Sequence, residues 1–132
     1  MPQECLQQPR PVEGTCLLAL FRQIIRMQNA ASSETQCISC MSGLNVNTNN
    51  TKPIRFILCS GEPFTAITSL ETLSTTEFFR IEEILDNSCV LVRLLILTEG
   101  TFTCTTSTAV ISLDCICSVQ CFPPIFCPLC ED

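Results

Sequence analysis

The chain has 132 residues, twelve of them cysteine and none histidine, with seven basic and thirteen acidic residues for a net charge of −6. Without histidine it lacks the usual proton shuttle and metal-ligating imidazole, and so few cations give no footing for a phosphate backbone, so no nucleic-acid partner is expected. Cysteine at this density belongs to disulfide scaffolds, yet a chain of this length can bury a core without staples, so some thiols are expected to act beyond the monomer. With 46% apolar and only 15% charged residues, much of the exterior is uncharged, which points to coverage by assembly.

The start, Met1-Pro2-Gln3-Glu4-Cys5, has neither a basic nor an apolar signal region, so no secretory signal is expected. Residues 1–13, with Pro2, Pro9 and Pro11, read as an extended arm. Thr15 is placed to cap a helix over 16–28, where Leu17, Leu20, Phe21, Ile24, Ile25 and Met27 recur at helical spacing. Residues 29–53 read as a loop around Cys37 and Cys40. From residue 54, β-branched and aromatic runs predict six strands, at 54–59, 64–68, 77–84, 88–98, 101–106 and 109–118. Glu99-Gly100 is a tight hairpin signal, Asp86-Asn87 a weaker one, and Ser60 to Pro63 mark another turn. The expected fold is mainly β: an antiparallel sandwich or barrel-like sheet of about six strands with one N-terminal amphipathic helix. Residues 14–122 would form this single domain and 123–132 a Pro- and Cys-containing tail. The longest apolar run, 89–97, is interrupted by Arg93 and is too short to span a membrane as a helix, so no membrane is expected.

The two C-x2-C pairs, Cys37/Cys40 and Cys127/Cys130, have the spacing of a four-thiolate zinc site, but the whole sheet separates them and Pro128 sits inside the second. No other cofactor is expected. A thioredoxin-like redox role lacks the alternating strand–helix frame. The carboxylates Glu77, Glu82, Glu83 and Asp86 read as a solvated face, and Asp114 would raise rather than lower the pKa of its neighbour Cys115. No nucleophile with a partnered base can be assembled, and no glycine-rich phosphate loop exists, so no catalysis is expected.

The segment Leu113-Asp114-Cys115-Ile116-Cys117-Ser118-Val119-Gln120-Cys121 resembles the D-C-x-C-x-x-x-C terminus of the CotY/CotZ family of bacterial spore-coat proteins, which includes the exosporium protein ExsY. Pro53-Ile54-Arg55-Phe56-Ile57-Leu58 with Pro63-Phe64-Thr65-Ala66 is similar to a second family element. So are Phe78-Phe79-Arg80-Ile81-Glu82 and Ser88-Cys89-Val90-Leu91-Val92-Arg93-Leu94-Leu95. The chain departs from the pattern in its tight turn at Glu99-Gly100, in Thr108 where members carry cysteine, and in its tail with Cys127 and Cys130.

The resemblance implies a structural protein made in the mother-cell cytoplasm, which accounts for cysteine richness without an export signal. It implies self-assembly, with hexameric units tiling a two-dimensional lattice, disulfide cross-links, other coat or exosporium proteins as partners, and a place in a spore surface layer. Cysteines in segments outside the sheet, Cys5, Cys37, Cys40, Cys127 and Cys130, are the expected intermolecular ones. Cys16, Cys59, Cys89, Cys104, Cys115, Cys117 and Cys121 are expected to be internal disulfides or core thiols. The second reading is a zinc-stabilised module, held by Cys37, Cys40, Cys127 and Cys130, that recruits other coat proteins.

Overall fold

A computed structural model describes residues 16–34 and 49–128, with side-chain surroundings for 16–31 and 49–128. Thr15, Cys5, Cys37, Cys40 and Cys130 lie outside the described residues. The chain forms helix α1 (Cys16–Glu34) and strands β1 (Ile54–Leu58), β2 (Ala66–Ile67), β3 (Thr75–Thr76), β4 (Phe78–Leu85), β5 (Cys89–Thr98), β6 (Thr101–Ser112) and β7 (Ile116–Cys121). Five strands make one sheet in the order β6-β5-β4-β1-β7, with every neighbour antiparallel, while β2 and β3 pair separately. The architecture is mainly β and antiparallel with a helix on its N-terminal side, as the sequence led us to expect.

The sheet is built around two hairpins whose turns need a left-handed backbone. Asp86 and Asn87 (φ 53° and 58°) join β4 to β5, and Glu99 and Gly100 (φ 51° and 81°) join β5 to β6. Two consecutive positive φ values give the turn whose twist matches that of the flanking strands. Asn and Gly accept this conformation at little cost, which is why the punctuation was readable.

Alternation along the strands divides the side chains between two faces. On one face Ile54, Phe56, Phe79, Ile81, Val90, Val92, Leu94, Ile111 and Ile116 are buried beneath Phe21 and Ile24 of α1. Phe56 lies at the centre of this face, with ring centroids 5.8 Å from Phe21, 5.7 Å from Phe79 and 6.3 Å from Phe64. Full burial of the Phe21, Phe56 and Phe79 rings contributes roughly 3 kcal/mol each. Gln28 anchors the helix: its Nε2 donates to the carbonyl of Ile81 (2.8 Å) and its Oε1 accepts from the Lys52 N–H (2.9 Å). Ile81 borders the bulge in the β4–β5 ladder, so Gln28 satisfies a carbonyl next to the register shift.

Four details differ from the sequence reading. The helix runs on to Glu34 instead of giving way to loop at residue 29, because Ala30 and Ala31 favour helix and nothing before Glu34 breaks it. Leu20 and Met27, counted with its apolar stripe, face outward. The strand expected at 64–68 shrinks to Ala66–Ile67, paired with the unforeseen β3. The runs expected at 101–106 and 109–118 are recut into one long β6 and a separate β7. Residues 105–107 form a bulge opposite Leu94 that β6 absorbs, and the real break is a 3-10 turn at Leu113–Cys115, where the Ser112 hydroxyl accepts from the Asp114 N–H (3.2 Å).

Candidate functional site

The other face of the sheet carries the cysteine chemistry. Phe78, Leu95 and Cys104 stand opposite one another across β4, β5 and β6. Next in line are Arg80 and Arg93, two cations directly opposed on β4 and β5. Such a pair repels unless an anion joins it, and Glu82 does so: its Oε2 accepts from Arg80 Nη1 at 2.8 Å and from Arg93 Nε at 2.9 Å. Burial opposes ionisation of Glu82, but its hydrogen bonds and charge attraction with Arg93 and Arg80 outweigh that and hold its carboxyl below the usual carboxylate range. Glu82 is thus a bound anion, not part of the solvated acidic face expected from the sequence. Glu77 is also paired, with Arg55 at 2.7 Å, whereas Glu83 and Asp86 are exposed.

Over this face lies a two-stranded strap. Upstream of β1 and downstream of β7 the chain continues the pairing of those strands: Phe122 N–H donates to the Pro53 carbonyl, and Ile125 exchanges hydrogen bonds with Thr51. The Asn50 amide then takes the place of a backbone partner, donating from Nδ2 to the Cys127 carbonyl (2.9 Å) and accepting at Oδ1 from the Cys127 N–H (2.8 Å). Arg80 holds the strap from below, through Nε to the Thr51 hydroxyl (2.8 Å) and Nη2 to the Asn50 carbonyl (3.1 Å). Phe122 adds an apolar contact, its ring 5.6 Å from Phe78 and 6.2 Å from Phe102.

The far end of the strap is fixed by a disulfide. Cys127 is fully buried and bonded to Cys104, with Cα atoms 5.8 Å apart, a normal separation for a bridge. The tail therefore leaves β7 at one edge of the sheet and is pinned to β6 at the other. Four strand spacings amount to roughly 19 Å, and six extended residues reach about 20 Å, so 122–127 is just long enough. A second bridge, Cys59–Cys117 with Cα atoms 4.8 Å apart, ties the end of β1 to β7. In the chain-entropy picture the two loops, of 58 and 23 residues, contribute about 4 and 3 kcal/mol. Cys115 is also disulfide-bonded.

A family model for spore coat protein Z matches residues 4–108. The chain belongs to that family. It is thus a spore coat protein by descent, and its family points to a structural role in the coat. No curated protein and no solved structure matches the chain significantly. The matched region stops within β6, so β7, with the D-C-x-C-x-x-x-C segment that carries the resemblance, and the downstream half of the strap lie beyond it; for the strap this agrees with the departure noted for Cys127.

Three cysteines of this coat protein, Cys127, Cys16 and Cys121, are placed otherwise than expected. Cys127, assigned to intermolecular bonding because its Pro-rich surroundings read as a loose tail, is instead the most enclosed cysteine described, inside the domain's own bridge. That also removes its thiolate from the four-cysteine zinc set. Cys16 and Cys121, counted among internal candidates, are exposed free thiols. The first residue of α1 lies off the Phe21–Ile24 stripe, and Cys121 ends an edge strand. Cys89 is a half-buried free thiol at the start of β5. Sequence reasoning missed Asn50, Thr51 and Arg80. Arg80 and Arg93 gave a usable signal: a cation inside an apolar strand requires a carboxylate and further acceptors nearby. Asn50 gave none, since its partner is backbone 77 residues away.

Proposed function

We propose that this coat protein is a self-assembling structural subunit whose domain is locked by its own disulfides and whose remaining thiols cross-link neighbouring copies into a lattice of the coat or exosporium. One observation carries the reading: Cys59, Cys104, Cys115, Cys117 and Cys127 are taken up in disulfides, while Cys16 and Cys121 remain free at the surface. Thiols on the outside of a bonded framework can reach another molecule without disturbing the core. Each link turns two thiols into one disulfide, with two electrons and two protons passing to an oxidant such as a low-molecular-weight disulfide. Synthesis in the mother-cell cytoplasm and hexameric units in a two-dimensional lattice, with other coat proteins joined to it, complete the proposal.

Non-reducing and reducing gels of the purified protein, with negative-stain images of the same sample, test it. Ladders or sheets that need reductant to collapse are expected, and Cys16→Ser with Cys121→Ser should thin the ladder. A monomer on both gels and in the images would count against the reading.

A further inference from the structure

We propose that the outer edge of β7 at Val119 and Cys121, open among the described residues, is a docking strand for β7 of a second copy, which extends the sheet from one molecule into the next. This rests on the self-assembly reading and gives it a surface. Among the described residues β7 is an end strand of the five-stranded sheet. Phe122 directs its N–H to Pro53, and the register sets Gln120 against Arg55 and Ser118 against Ile57. Main-chain groups alternate in direction along an antiparallel ladder, so Gln120 and Ser118 turn theirs toward β1 while Val119 and Cys121 turn theirs outward, to the open edge.

Soluble proteins usually protect such an edge with charge, proline or a bulge. The six residues of β7, ICSVQC, contain no charge and no proline, although the chain as a whole carries a net charge of −6. Its one irregularity falls at the Leu58 end, opposite Ile116, and leaves the stretch through Val119 and Cys121 regular. The opposite edge strand, β6, is likewise uncharged but is interrupted by the bulge at 105–107. An uncharged strand also lets two acidic molecules approach with least repulsion. A second copy is the fitting occupant because antiparallel pairing of one strand with itself about a two-fold axis is self-complementary. Cys121, exposed and unbonded at the end of β7, then lies within the contact.

The experiment compares Cys121→Ser with Cys121→Pro, both without reductant and with the remaining thiols alkylated by iodoacetamide so that no cross-links form. Serine removes the thiol but keeps the outward N–H. Proline removes that N–H while leaving the hydrogen bonds to β1 alone. Sedimentation velocity across a concentration series should show Cys121→Ser associating and Cys121→Pro associating at least about tenfold more weakly. Peptide mapping of Cys59–Cys117 and Cys104–Cys127 confirms that each variant is folded. Ser118→Lys, which adds a like charge to the edge without touching the backbone, should weaken association as well, and more at low salt. Equal association of all three variants would overturn the β7 interface while leaving self-assembly standing. A Cys121→Ser protein that stays monomeric at every concentration would overturn the β7 interface as well, while thiol cross-linking is decided separately by the reductant-dependent ladder of the unalkylated protein.

Discussion

The two faces of the sheet are held by different physics. Beneath α1 there is close to pure burial: four phenylalanine rings, Phe21, Phe56, Phe64 and Phe79, pack with aliphatic side chains. Beneath the strap three more rings, Phe78, Phe102 and Phe122, cover only one part. The rest is a charged and amide network closed by a disulfide. Phe78 and Phe79 are adjacent in sequence and serve opposite faces. The helix face tolerates inexact geometry, because apolar burial has no direction, whereas the strap face depends on particular partners and on a redox state.

The comparison can be broken hardest on the helix side. Phe79→Ala should cost about 4 kcal/mol of unfolding free energy in a denaturant titration, through lost burial and the cavity left behind. It should do so equally with the disulfides intact or reduced. On the strap side, the double change Cys104→Ser and Cys127→Ser should cost about 3 kcal/mol. Limited proteolysis should then cut near Pro124 before the β4–β5–β6 sheet opens, since the strap alone is released. Asn50→Ala leaves the bridge but removes both hydrogen bonds to Cys127, and should lower stability by about 2 kcal/mol. Amide exchange at Cys127 and Ile125 should rise more than at Val92.

The smallest effect belongs to pH. Glu82 has a folded pKa below its unfolded value of about 4.3, so its contribution is complete above that pH and is lost as pH falls through the folded value. Glu82→Gln should flatten this acid limb of a stability–pH curve and cost about 1 kcal/mol or less at neutral pH. A limb unchanged by the substitution would mean that other carboxylates set it.

The helix face was largely legible in the sequence, because it is written in periodicity. Phe21 and Ile24 fall at helical spacing, and Phe56, Phe79, Val90 and Val92 alternate. The hairpins were legible because Asn87 and Gly100 suit a positive φ. The strap was not, because its grammar is non-local. Pro123, Pro124 and Pro128 signal only that regular structure stops, and they say nothing of where Cys127 lands. Cysteine density announced a disulfide framework, but with twelve cysteines the partners follow from the paths of β6 and the tail, which only folding reveals.

The two bridges interleave along the chain. Cys104 lies inside the loop closed by Cys59 and Cys117, and Cys127 lies beyond it. Every peptide bond from Cys59 to Cys127 therefore sits within at least one covalent ring. A protease that cuts this stretch once makes a nick but frees no fragment: the pieces stay tied, and an assembly built from them would keep its connectivity until the disulfides themselves are reduced.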